Sequence, residues 1–174
     1  MSTKTETPSA IPVILLGDFE ATAKAFSEAL LPDFEVVYLS TTPDLALKAL
    51  PSVLAGQAPA YLAPEDKLKL ETAGSGSGSG SSPKAIVIAG PAFDDVFVAD
   101  AQRLFAAADL HVPFFKKREY VVGTIDDDDD VVAGVGGVPK TADVEGLAAR
   151  AVKALKKAVE EGKLEGDDDG VYVY

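Results

Sequence analysis

Two runs of the chain share one grammar. Val13, Ile14, Leu15 and Leu16 are continuously apolar, stop at Gly17-Asp18, and give way to a helical period. Ile86, Val87, Ile88 and Ala89 stop at Gly90-Pro91 and do the same. An apolar run without alternation, rich in β-branched residues, marks a strand buried on both faces, as in a parallel sheet.

Extending this pattern predicts strands over Ile11 to Leu16, Phe34 to Leu39, Ala85 to Ala89 and Val112 to Phe115. Val171 to Tyr174 adds a short final edge strand. The first helix is expected from Phe19 to Leu31, capped by Asp18, with Phe19, Ala23, Phe26 and Leu30 on its inner stripe. The second is capped by Thr42, with Pro43 at the first helical position, where the missing N–H costs nothing. Pro51 is expected to interrupt it, leaving Ser52 to Ala55 as a separate turn closed by Gly56. The third covers Asp94 to Ala108, with Phe97, Ala101, Leu104, Phe105 and Ala108 inward. The last is capped by Thr141 and ends at Gly162. Its stripe is Val144, Leu147, Ala148, Ala151, Leu155 and Val159.

Strand and helix therefore alternate, and right-handed crossovers turn that order into an open, three-layer, mainly parallel α/β sheet. The arrangement expected is flavodoxin-like (Rossmann-like in the broad sense), with strand order 2-1-3-4. The chain reverses direction between strands one and three, and such folds bind ligands in the crevice at that switch point. Residues 1–10 read as a disordered lead-in and 11–174 as one domain. Gly74 to Ser82, nearly strict Gly/Ser alternation, reads as a flexible loop spanning roughly 16 Å. Residues 119–140, with five consecutive aspartates, read as an acidic loop.

Composition narrows the function classes. The 174 residues contain no cysteine, which removes disulfides, thiolate catalysis and thiolate-bound metals. The formal net charge of −12 disfavours nucleic acid and anionic membrane surfaces, both of which draw on Lys and Arg. Asp126 to Asp130 and Asp167 to Asp169 hold eight of the 28 acids, so the folded body is less acidic than the total. No apolar run approaches the roughly 20 residues of a membrane helix. The expectation is a soluble cytoplasmic protein.

Six residues form the candidate ligand site: Gly17, Asp18, Gly90, Pro91, Lys116 and Arg118. The glycine turns precede helix N-termini, whose N–H groups attract anions. Asp18 repels a phosphate, however, and Pro91 removes a donor. Lys116, Lys117 and Arg118 follow strand four at the same edge and suit an anionic ligand, or offset the neighbouring aspartates. The Asp126 to Asp130 run lacks the spacing and turn glycine of a calcium loop. Gly134-Val135-Gly136-Gly137 resembles a dinucleotide turn, but its third glycine falls at Pro139. His111, the single histidine, precedes strand four and so belongs to the opposite, amino edge. No metal site, cofactor motif or catalytic residue stands out, and no G-x-S-x-G elbow, Walker loop or H-E-x-x-H occurs.

The opening, PVILLGDFEATAKAFSEALLPDFEVVYLS, resembles the start of the substrate domain of D-2-hydroxyacid dehydrogenases. It covers roughly residues 11–60 and implies a flavodoxin-like unit. Those enzymes also need a nucleotide domain and Arg, Glu and His catalysts, none of which transfers here. The whole chain, ending GDDDGVYVY, resembles small fungal proteins of unknown function with a Rossmann-like fold. The function expected is a non-catalytic module that binds a small ligand or a protein partner. The alternative is a small enzyme derived from a dehydrogenase-type substrate domain, working in the crevice at the carboxyl ends of strands one and three. A homodimer paired through Val171 to Tyr174 is the alternative to an internal edge strand there.

Overall fold

The structure, a computed structural model, describes residues 10–55, 82–117 and 141–174. The lead-in, all of the Gly/Ser tract but Ser82, Gly56, Arg118 and the acidic loop lie outside the described residues.

Five parallel strands form one sheet in the order β2-β1-β3-β4-β5. They are β1 (Ile11–Leu16), β2 (Phe34–Ser40), β3 (Ala85–Ile88), β4 (Phe114–Lys116) and β5 (Val171–Val173). The helices are α1 (Glu20–Leu30), α2 (Pro43–Leu54), α3 (Asp95–Ala107) and α4 (Thr141–Glu160). This is the three-layer, flavodoxin-like α/β architecture expected, with β5 completing the sheet at its edge.

The pleat explains why β1 and β3 are apolar throughout. Val13 and Leu15 of β1, with Ala85 and Val87 of β3, face α1 and α4, where they meet Phe26, Leu30, Ala148 and Leu155. Ile14, Leu16, Ile86 and Ile88 face α2 and α3, against Leu50, Phe97 and Phe105. A side chain buried fully on either face contributes about 1.5–3 kcal/mol, so none of the positions from Val13 to Leu16 or from Ala85 to Ile88 tolerates a charge. One irregularity interrupts the ladder. Val13 pairs with Val36 but Ile14 pairs with Tyr38, so Val37 is the extra residue of a bulge. The slip sends Phe34 and Val36 to the α1/α4 face and Tyr38 to the α2/α3 face.

Several boundaries differ from expectation for physical reasons. Pro51 does not break α2; it lies inside the helix, and Ala55 N–H donates back to Pro51 O at 3.1 Å. Burial of Leu50, Val53 and Leu54 offsets the roughly 3 kcal/mol that a helical proline costs. Strand β4 starts at Phe114, not Val112, because Val112 and Pro113 form the approach. In α4, Ala158 takes the inward position and Val159 is exposed. In α3, Leu104 and Ala108 are exposed and Val98 is buried instead. Asp94, expected as the first residue of the third helix, is instead its cap and accepts Phe97 N–H at 3.0 Å.

Candidate functional site

The carboxyl ends of β1, β3 and β4 bring five of the six candidate residues to one edge of the sheet. Arg118 lies outside the described residues. Gly17 N–H donates to Ser40 O, and Ala89 N–H donates to Leu16 O, so both glycine turns hang from the ladder. Phe93 N–H returns to Gly90 O at 3.3 Å and closes the second turn.

The two turns are bonded to each other. Asp18 does not cap α1; the cap position belongs to Phe19, which supplies no side-chain hydrogen bond. Asp18 Oδ1 instead accepts Ala92 N–H at 3.1 Å, across 74 residues of sequence. An internal carboxylate thus occupies a place where a ligand anion would meet the second turn. The approach is close enough to dictate Gly90. A Cβ there would sit 2.6 Å from the Asp18 backbone nitrogen, closer than real Cβ atoms approach their neighbours. Gly17 is under no such constraint, since a Cβ would meet Ala23 and Ala89 at 3.8 and 4.0 Å.

Lys116 is also committed within the fold. Its ammonium lies 2.6 Å from Asp95 Oδ1, at the first residue of α3, with only 12% of the side chain exposed. Lys117 is exposed, and its N–H extends the ladder to Ile88 O. The same carbonyl accepts the Tyr174 hydroxyl at 2.8 Å. Tyr174 is buried against Phe26, and burial pushes its phenol well above the ordinary tyrosine value. Asp44 and Asp94–Asp95 stand at the starts of α2 and α3 at this same edge. Among the described residues, these acids and Asp18 outnumber the cations Lys116 and Lys117 at this rim.

Around the joined turns the surface is apolar. Phe19, expected in the core, is 59% exposed, and Val96 in the first turn of α3 is 67% exposed. Pro91 and Ala92 are exposed between them. The misplacement of Phe19 has a local cause: with Asp18 drawn towards Ala92, Phe19 becomes the extended cap residue ahead of the helix. Periodicity alone could not separate the cap from the first inward position.

No nucleophile–base pair is assembled at this edge among the described residues. None of them form a group of three or more His, Cys, Asp or Glu able to hold a metal. His111 sits at the amino edge, before β4, as its sequence position implies. No described helix is long and apolar enough to cross a membrane. No family model, curated protein or solved structure matches the chain, so the site rests on its own geometry.

Proposed function

We propose that the chain is a non-catalytic α/β binding module whose carboxyl edge holds a protein partner. The observation that carries this reading is the Asp18–Ala92 bond, which ties the two turns together across the switch point while Phe19, Pro91, Ala92 and Val96 stay exposed. With the second turn's Ala92 N–H already taken by Asp18, contact across the rim is favoured over an anion held between the turns. Exposed apolar residues ringed by polar ones are the usual composition of a contact face. The acidic rim of Asp18, Asp44, Asp94 and Asp95 suits a partner with basic residues flanking its own apolar patch. The net charge of −12 supports a partner other than nucleic acid, and the absence of cysteine agrees with a cytoplasmic site of action.

Native mass spectrometry of the chain purified from its own cells tests this. Wild type should carry a partner mass that Phe19→Asp combined with Val96→Asp loses. A bare mass for both, or an identical complex for both, overturns the reading. Pairing of two copies along β5 is the second reading, favoured by exposed Val171 and Val173 on the last strand of the sheet. It expects a sedimenting dimer that Val173→Lys dissolves.

A further inference from the structure

The amino edge of the sheet carries a different set of groups, beginning with two helix ends built alike. At the end of α4, Gly162 N–H donates to Val159 O and Lys163 N–H to Ala158 O, at 3.1 and 2.9 Å. Gly162 adopts φ 73°, a conformation glycine enters freely. At the end of α3, Asp109 N–H donates to Ala106 O and Leu110 N–H to Phe105 O, at 3.3 and 2.9 Å. The left-handed position is here an aspartate, at φ 55°. Aspartate enters that conformation more readily than most L residues but less freely than glycine, so the carboxylate costs the helix end something that Gly162 does not.

Its surroundings bring the carboxylate close to an imidazole. Asp109 Oδ1 lies 3.7 Å from Nε2 of His111, the single histidine of the chain. Both line a cavity of about 220 Å³ together with Leu54, Pro83, Lys84 and Leu110. Leu110 and His111 also border a smaller cavity of about 30 Å³ next to it, which Gln102 and Asp169 line. Among the described residues no carboxylate pairs with the Lys84 ammonium. The larger of the two, an open cleft, therefore combines a cation with no carboxylate partner among the described residues, a half-exposed imidazole and three apolar side chains, with the exposed Asp109 carboxylate at its mouth. Its size is below the roughly 300–1,000 Å³ of pockets for drug-sized ligands, so its ligand is small.

We propose that this cavity binds a small organic acid, with the carboxylate set between Lys84 and His111 and the apolar body against Leu54, Pro83 and Leu110. Asp109 limits which anions enter, because a second negative charge on the ligand faces it. The site lies at the opposite edge from the partner face and is independent of it.

Benzoate is the probe, followed through the ring resonances of His111 at fixed pH, where a single histidine gives one set of signals. The shift should saturate in the millimolar range, and neutral benzamide should produce none. Lys84→Gln, at an exposed position, should weaken benzoate binding roughly three- to fivefold with the backbone amide spectrum otherwise intact. Asp109→Gly should tighten it while preserving the helix end. A non-saturating drift, an equal response to benzamide, or an unchanged affinity in Lys84→Gln overturns the site. Inorganic phosphate binding as tightly as benzoate overturns the organic-acid assignment, because it leaves only a charge patch without a role for the apolar wall.

Discussion

Gly17 and Gly90 occupy equivalent turns, yet replacing each by alanine should give opposite results. At Gly90 the new Cβ falls 2.6 Å from the Asp18 backbone nitrogen, short of ordinary contact by about 0.8 Å. Backbone must move, since the obstruction is not the far end of a side chain. Overpacking of this kind costs about 1–3 kcal/mol. The Asp18–Ala92 hydrogen bond breaks with it, adding about 1 kcal/mol for an exposed bond. The total of about 2–4 kcal/mol lowers Tm by roughly 5–15 °C in a chain of this size. At Gly17 the Cβ lands in ordinary contact with Ala23 and Ala89, so Gly17→Ala should stay within about 0.5 kcal/mol. Urea melts of both variants measure the difference. Asp18→Ala combined with Gly90→Ala should cost less than the sum, because the bond can be lost only once. Equal losses at the two glycines, or a loss at Gly90 below about 1 kcal/mol, would refute the close approach of the turns.

Other outcomes follow from the same structure. Pro51→Ala restores a donor inside α2 and should stabilise the fold by about 1 kcal/mol or more, read by thermal melting. Asp109→Gly should raise stability by about 0.5–1 kcal/mol in the same assay, because glycine accepts φ 55° without strain. Tyr174→Phe removes the donor to Ile88 O and should cost about 1 kcal/mol. Tyr174 also sets an alkaline limit. Its folded pKa lies above the unfolded value of about 10, so its contribution is fully present below pH 10. Above that pH the unfolded chain loses the proton first, and stability falls by about 1.4 kcal/mol per pH unit until the folded state also ionises. Denaturant midpoints between pH 9 and 11 should therefore decline less steeply in Tyr174→Phe than in wild type.

The legible parts of the fold were those where one local pattern had one physical meaning. Ile11 to Leu16 reads correctly to the residue because its last four residues are buried on both faces and no polar residue interrupts the run. Gly162 was recognisable as a terminator because α4 ends in a position that favours glycine. The errors arose where distant contacts overrode local preference. Asp18 is a good cap by type, but Ala92, 74 residues away, takes its carboxylate, and Phe19 turns outward as a result. Pro51 is a helix breaker by type, but its neighbours are buried deeply enough to carry α2 past it. The bulge at Val37 leaves no mark in a strand whose residues are all β-compatible. For the candidate site, the sequence located the edge of the sheet. It could not tell that Asp18 bonds the second turn, nor that Lys116 is bound to Asp95, because both depend on contacts between elements.

Hydrogen exchange of the chain alone and in the complex isolated from its own cells tests the partner face most directly. Binding across the joined turns should slow exchange in the backbone amides of residues 17–20 and 90–97, leaving β5 and the amino edge unchanged. Protection confined to residues 171–173, or to the segment from Asp109 to His111, would contradict the assignment of the carboxyl edge as the contact surface.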